Sequence, residues 1–262
     1  MNTLDKQKDI KAYFERTGLR AKKAFGQNFL IDHNILPGIA NGANLDKQSI
    51  TLEIGPGFGV LTNHLIQKSA HVIAVEIDEH LFDFCRNRFK DKTNINIYHQ
   101  DIMASKHKLS DEIMSVIDSY INQGLSFKVC ANMPYKISSS FLIRLFFYAT
   151  PPDAISVLIQ EEFADRLLAK PHNKEYGPLS IFGQLGYDCK IINRVPGSCF
   201  YPPPKIGSAV LQLIKKIEFT GFNPDFEEFV AKPFLHRRKK IKGMNCRPEE
   251  LSPQDFLNLF NN

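Results

Sequence analysis

A glycine-rich turn is the first feature with chemical content. In Glu53-Ile-Gly55-Pro-Gly57-Phe-Gly59 it follows an apolar run and precedes a helical pattern, where absent side chains let the backbone approach a ligand at a helix start. A dinucleotide fingerprint spaces its glycines G-x-G-x-x-G; here the spacing is G-x-G-x-G behind an acid, Glu53, which argues against NAD. Glu76, 21 residues after Gly55, closes the run Val72-Ile-Ala-Val-Glu76, where a carboxylate can accept hydrogen bonds from two ribose hydroxyls. Asp101, in His99-Gln-Asp-Ile-Met103, closes the next run and can accept from an adenine amino group. Singly, each acid is equally well explained as a solvated strand-end carboxylate or a helix cap. Three at successive strand ends should converge, because open α/β sheets bind ligands at the carboxyl ends of strands, where the strand order reverses. Together they would hold an adenosine moiety.

Such convergence needs a frame. From Ser49 short apolar runs alternate with longer helical patterns, the signature of a parallel sheet built by right-handed crossovers. The patterns predict strands at 50–54, 71–76, 95–99, 127–131, 155–160, 187–195 and 208–214, and helices at 60–69, 79–89, 139–149 and 161–170. The expected class is α/β, an open, doubly wound, Rossmann-like sheet. Phe200-Tyr-Pro-Pro-Pro-Lys205 cannot continue a helix and lacks donors for a central ladder, so it reads as a shaped loop. After Lys216 only helical signals remain, among them Pro224-Asp-Phe-Glu-Glu-Phe-Val and a Ser252 N-cap followed by Pro253. Two domains are expected: a catalytic domain over 1–217 and a small helical one over 218–262.

The 262 residues, 43% hydrophobic, are enough for a full core, and no apolar run approaches membrane-spanning length. The N-terminus mixes both charge signs without the apolar stretch of a secretory signal, which makes the cytoplasm the expected location. Five scattered cysteines without a C-x-x-C pair, and eight histidines without metal-ligand spacing, point to neither disulfides nor a metal. The net charge of +5 is unevenly placed: Lys232, Arg237, Arg238, Lys239, Lys240, Lys242 and Arg247 occur with no acid among them. A solvated helix face explains such a run by itself; a polyanion partner is the other reading.

Beyond the fourth predicted strand stands Asn132-Met133-Pro134-Tyr135, which resembles the [D/N]-x-P-[Y/F] motif of the N6-adenine methyltransferases. The chemistry accounts for the residue types. Adenine N6 is a poor nucleophile because its lone pair is delocalised into the ring, so catalysis needs acceptors for both N–H groups that let the nitrogen pyramidalise. The resemblance implies that the Asn132 side-chain oxygen and the Met133 carbonyl are those acceptors. Pro134 would fix the turn, and Tyr135 would stack on a base flipped out of its own stack.

The likeness extends over nearly the whole chain. Ala24-Phe-Gly-Gln-Asn-Phe-Leu30, Glu53 to Thr62, Asn132 to Ser138, Leu158-Ile-Gln-Glu-Glu162, Tyr176-Gly-Pro-Leu-Ser180, Phe200 to Lys205 and Phe234-Leu-His-Arg-Arg-Lys-Lys240 resemble the KsgA family of small-subunit rRNA adenine N6-dimethyltransferases. That resemblance implies S-adenosylmethionine as cofactor, held by Asn28, Leu30, Gly55, Gly57, Glu76, Ile77, Asp101, Ile102 and Asn132. It implies that Phe200 faces Tyr135 across the target base. It also implies that a monomer acts on two adjacent adenines in the 3′-terminal hairpin of 16S rRNA in a partly assembled 30S particle. Arg237, Arg238, Lys239, Lys240 and Lys242, extended by Lys22 and Lys23, would then bind RNA phosphates. Met133, Lys136 and His236 depart from the residues usual in the family.

Three alternatives share some of these features. A large-subunit (23S) rRNA methylase of the macrolide-resistance type has the same cofactor motifs and turn, but Pro-Pro-Pro-Lys-Ile-Gly-Ser-Ala-Val favours the small-subunit family. A DNA N6-adenine methyltransferase adds a sizeable recognition domain, for which 218–262 leaves little room. A non-catalytic ribosome assembly factor has no need of Glu76, Asp101, Asn132 and Tyr135.

Overall fold

The computed structural model describes residues 7–241 and 243–262. Helix α1 (Gln7–Thr17) leads into a two-residue strand β1 (Phe29–Leu30) and helix α2 (Leu36–Gly42). The alternating region runs β2 (Ser49–Ile54), α3 (Val60–Lys68), β3 (His71–Glu76), α4 (Glu79–Arg88) and β4 (Ile95–His99). A hairpin of β5 (Met103–Ser105) and β6 (Lys108–Leu109) follows, then α5 (Asp111–Ile121), β7 (Ser126–Asn132), α6 (Ser138–Phe146), β8 (Ala154–Gln160), α7 (Glu161–Leu168) and α8 (Pro178–Gly186). The remainder is β9 (Tyr187–Val195), β10 (Phe200–Tyr201), β11 (Ser208–Lys215), α9 (Pro224–Phe234) and α10 (Pro253–Asn261). No helix among the described residues is long and apolar enough to cross a membrane.

Seven strands form the main sheet in the order β4-β3-β2-β7-β8-β11-β9. The first five are parallel, since helical crossovers join them. Only β11 departs from the expected parallel direction: it inserts between β8 and β9, antiparallel to both. Between β9 and β11 lies no α-helix to return the chain, only the segment with the proline run, and such a connection yields an antiparallel pair. Part of the expected loop is itself ladder: Phe200 and Tyr201 pair with Leu30 and Phe29.

Alternation along the strands sends side chains to two apolar layers. Ile73, Val75, Val129 and Ala131 enter one core cluster, while Val72, Cys130 and Leu158 enter the other with α2 and α3. Phe226 and Val230 of α9 and Phe256 of α10 belong to the first cluster, against Phe182 of α8. The helices after residue 218 therefore share a continuous apolar core with the sheet. Their starts match the sequence signals: the Asn223 side chain accepts from Asp225 N ahead of Pro224, and Ser252 and Asp255 form a reciprocal cap around Pro253.

Gly59 shows why the turn before α3 is built from glycine. It caps α3 at φ +74°, and a Cβ there would lie 2.5 Å from Phe89 Cε2. Gly59→Ala is expected to destabilise the protein by roughly 2–4 kcal/mol, from left-handed strain plus overpacking. A chemical-denaturation midpoint unchanged from wild type would refute it.

Candidate active site

The strand order reverses between β2 and β7, because the chain lays β3 and β4 on one side of β2 and β8 beyond β7 on the other. A cleft of about 350 Å³ opens there, at the carboxyl ends of the strands. Asn28, Leu30, Gly55, Gly57, Glu76, Ile77, Asp101, Ile102, Asn132, Met133, Pro134 and Tyr135 all line it.

Glu76 forms its floor. The carboxylate is 4% exposed and accepts from Gly57 N (3.1 Å) and Asp78 N (3.0 Å). Burial pushes its pKa up against those two donors. Gly57 can present its N–H because it sits at φ +58°, and a Cβ there would press on the Phe29 ring at 3.4 Å. Asp101 is exposed and turns one oxygen back to Met103 N (2.8 Å).

Asn132 ends β7, and its orientation is set by a partner far away in sequence. Nδ2 donates to the Asn28 carbonyl (3.1 Å), which fixes the amide so that Oδ1 is its acceptor end; no group among the described residues donates to Oδ1. Met133 N donates to Leu158 O of β8 (3.0 Å), holding the peptide of the turn. Pro134 packs beneath Gly55, where a Cβ would meet its ring at 3.4 Å. Tyr135 lines the cleft, and its hydroxyl meets Ser208 Oγ at 2.6 Å.

The segment before β1 straps the cleft on two sides. Lys22 Nζ (3.0 Å) and Gln27 Nε2 (2.8 Å) reach Asp78, which caps α4. Burial pushes the Asp78 pKa up, but the bonds from Lys22 and Gln27 outweigh it and hold the carboxyl below its ordinary range. On the other side Lys136 Nζ donates to Ala24 O (2.8 Å). The departure at Lys136 thus has a structural partner.

Several expected residues lie elsewhere. Phe200 is 2% exposed, packs with Leu30 and Val195, and does not line the cleft. Adjacent strand residues point oppositely, and Tyr201 packs instead against the cluster of Ile10, Phe29 and Phe58, under the Lys11 ammonium (5.4 Å). Lys22 is engaged by Asp78. Arg237 turns inward: Nε donates to Glu249, Nη1 to Lys174 O and Nη2 to Asn173 O (2.7 Å). The hydrogen bond from Arg237 holds the Glu249 carboxyl below its usual range. Arg238, Lys239 and Lys240 are exposed, with Lys240 bonded to Asn245. The expectations for Lys242 and for the side chain of Lys23 lie outside the described residues.

Arg237 is thus a staple between the loop at 173–174 and the turn before α10. Arg237→Ala is expected to cost about 1–2 kcal/mol, the worth of several partly exposed charge-assisted bonds, whereas Arg238→Ala should leave the melting temperature in place. Equal thermal unfolding of the two variants would contradict that division.

Two features of the cleft escaped the sequence reading. One is the aromatic latch of α1, where Tyr13 meets Phe58 edge-on and Phe14 meets it at a tilt, with Phe29 and Phe84 alongside, and Ile10 reaches the cleft wall. Its i, i+3, i+4 apolar spacing was a usable signal. The other concerns Glu53, read only as one of three strand-end acids that together would hold an adenosine moiety. It is 1% exposed, lines the cleft, and its Oε2 has no hydrogen-bond partner among the described residues. Burial, reinforced by the nearby Glu76 charge, pushes its pKa up to about 8.

A mostly parallel sheet with helices on both faces and a nucleoside-sized cleft at its switch point defines the class I methyltransferase fold. Two solved structures share it: a dimethyladenosine transferase from Plasmodium falciparum (TM-score 0.72, 24% identity, covering 88% of this chain and 95% of that one) and the 23S rRNA methyltransferase ErmE (0.64, 23%, 89% and 98%). The family model for ribosomal RNA adenine dimethylase matches residues 18–256. Ribosomal RNA small subunit methyltransferase A of Streptococcus uberis is 39% identical over 236 residues, 88% of this chain and 79% of that protein. The protein of the same name from Streptococcus pneumoniae serotype 2 is 38% identical over 235 residues, with the same coverage. The chain therefore belongs to the ribosomal RNA adenine dimethylase family, and is an enzyme that dimethylates adenine in ribosomal RNA.

Proposed function

We propose that the chain transfers methyl groups from S-adenosylmethionine to N6 of two adjacent adenines in the 3′-terminal hairpin of 16S rRNA, leaving N6,N6-dimethyladenosine. The observation that carries this reading is the Asn132 amide, whose donor end is tied to Asn28 O and whose acceptor end is left for an incoming amino group. The names carried by the streptococcal relatives favour the small subunit.

The cleft residues suit the cofactor. An unpartnered buried carboxylate oxygen at Glu53 matches a cationic ligand, and Gly55 and Gly57 leave room that a Cβ would fill. Glu76 would take the ribose hydroxyls, Asp101 the adenine amino group, and Asn28, Leu30 and Gly55 the methionine half, with Ile77 and Ile102 against the base. When bound, S-adenosylmethionine supplies an electrophilic methyl group on a sulfonium. Asn132 Oδ1 and Met133 O would accept the two N6 hydrogens and restore the nitrogen lone pair, while Tyr135 holds the flipped base by stacking. No general base is required, because the N6 proton becomes acidic as the new bond forms and water removes it. Residues 218–262 would serve as the RNA-binding part, with Arg238, Lys239 and Lys240 toward phosphate. Action by a monomer on a partly assembled 30S particle in the cytoplasm belongs to the same proposal.

The test is to incubate the protein and labelled S-adenosylmethionine separately with undermethylated small subunits, large-subunit rRNA and duplex DNA, then digest to nucleosides. Dimethyladenosine from the small subunit alone is expected. Label only in large-subunit RNA or DNA would move the assignment there. No transfer to any substrate would leave an assembly factor.

A further inference from the structure

Tyr135 is held at its far end. The residue lines the cleft, and its hydroxyl shares a 2.6 Å hydrogen bond with Ser208 Oγ. Ser208 is fully buried and opens β11, paired with Gln160 of β8 on one side and Val195 of β9 on the other. The residue before it is pinned as well: Glu161 N donates to Gly207 O (3.0 Å), and a Cβ on Gly207 would lie 2.7 Å from Glu161 Oε2. The oxygen that holds Tyr135 is therefore buried and sits on backbone locked from both sides.

A stacking platform needs only an aromatic face, which phenylalanine provides equally. A hydroxyl reaching a buried, immobile partner adds something else: it fixes the tilt of that face. The two methyl transfers differ in how much they depend on this. In each, the N6–C bond forms as the sulfonium S–C bond breaks to leave a thioether, and one N6 proton departs to water. Before the first transfer both N6 hydrogens are available to the two acceptors of the turn. After it only one remains, so half of the hydrogen-bonded orientation is gone and the stacked ring must supply the rest.

Resting on the methyl-transfer reading above, we propose that Ser208 is a positioning residue for the second transfer: by fixing the tilt of Tyr135 it holds the monomethylated base in plane for completion to the dimethyl product. Nothing in the [D/N]-x-P-[Y/F] motif points to Ser208, which lies 73 residues beyond Tyr135.

The test measures N6-methyladenosine and N6,N6-dimethyladenosine over a time course on undermethylated small subunits, for wild type, Ser208→Ala, Tyr135→Phe and the double variant. Either single change removes the same hydrogen bond. Each should slow the second transfer relative to the first by about tenfold, the rate equivalent of one such bond, so that the monomethyl product accumulates. The double variant should be no worse than either single one. An unchanged product ratio, or losses that multiply in the double variant, would overturn the proposal. If Ser208→Ala fails to fold, Tyr135→Phe alone supplies the product ratio: a raised monomethyl share supports the proposal and an unchanged one overturns it. A wild-type protein that methylates no substrate would overturn the functional reading instead, before Ser208 comes into question.

Discussion

Asn132→Ala is expected to lower kcat for methyl transfer by about 10²–10³-fold, the loss typical when one preorganised polar partner of the reacting group is removed. The acceptor is worth that much only because it is oriented in advance. Asn28 O takes the amide's donor end at 3.1 Å, so Oδ1 need not compete with a flipped rotamer. Asn132→Asp makes the sharper variant. It keeps an acceptor oxygen and satisfies the motif, yet it sets a carboxylate against the Asn28 carbonyl with no hydrogen between them. It should therefore be nearly as inactive as the alanine variant, with the loss in kcat exceeding the change in KM for RNA. Near-normal turnover by Asn132→Asp would sink the orienting role of Asn28 while leaving the motif intact.

The second large effect is a pH dependence centred on Glu53. Its carboxyl, pushed up to about 8 chiefly by burial, is protonated at neutral pH in the ligand-free protein. A group whose folded pKa is raised stabilises the fold fully below its unfolded value, near 4.5, and that stabilisation is lost as pH rises through about 8. Glu53→Gln should therefore gain on wild type steadily between pH 5 and 8.5 in unfolding experiments. The Glu76 pKa is raised too, so part of the slope should survive in the variant. Binding reads the same group from the other side. If a cationic ligand docks against Glu53, it must displace the proton, so affinity for S-adenosylmethionine should rise about tenfold per pH unit between 6 and 7.5. Calorimetry in buffers of different ionisation enthalpy should count about one proton released. A Glu53→Gln protein with the same slope and the same proton count would exclude Glu53 as the group involved.

The two parts of the site differ in how legible they are. Glu76, Asp101 and Asn132 stand at the ends of strands whose apolar runs are unambiguous, and the sheet's topology then brings those ends together, so local pattern was enough to place them. Position across the cleft was not. Phe200 and Tyr201 are adjacent aromatics in a short strand, and a period of two lets either face inward; only the pairing of Phe200 with Leu30 decides it. The charge run misled in a similar way, since Glu249, which takes Arg237, lies just past the last cation. Glu53 was visible as a residue, but a buried carboxylate and a solvated one are spelled the same; its unusual proton affinity comes chiefly from burial, with the Glu76 charge on β3 adding to it. The antiparallel insertion of β11 was likewise hidden, because the apolar pattern of a strand carries no direction.

That insertion has a consequence for how the chain is made. A polypeptide that emerges amino end first has β2 to β8 in hand well before Ser208–Lys215 appears, so the cleft at the switch point can be assembled while the sheet is still open at β8. Until β11 arrives, Ala154–Gln160 presents a free and almost wholly apolar rim, the kind of edge that recruits a neighbouring nascent chain. The late strand then does two things in one step: it seals that rim, and through Ser208 it completes the wall behind Tyr135. Protection from aggregation and completion of that wall thus come together, before α9 and α10 emerge.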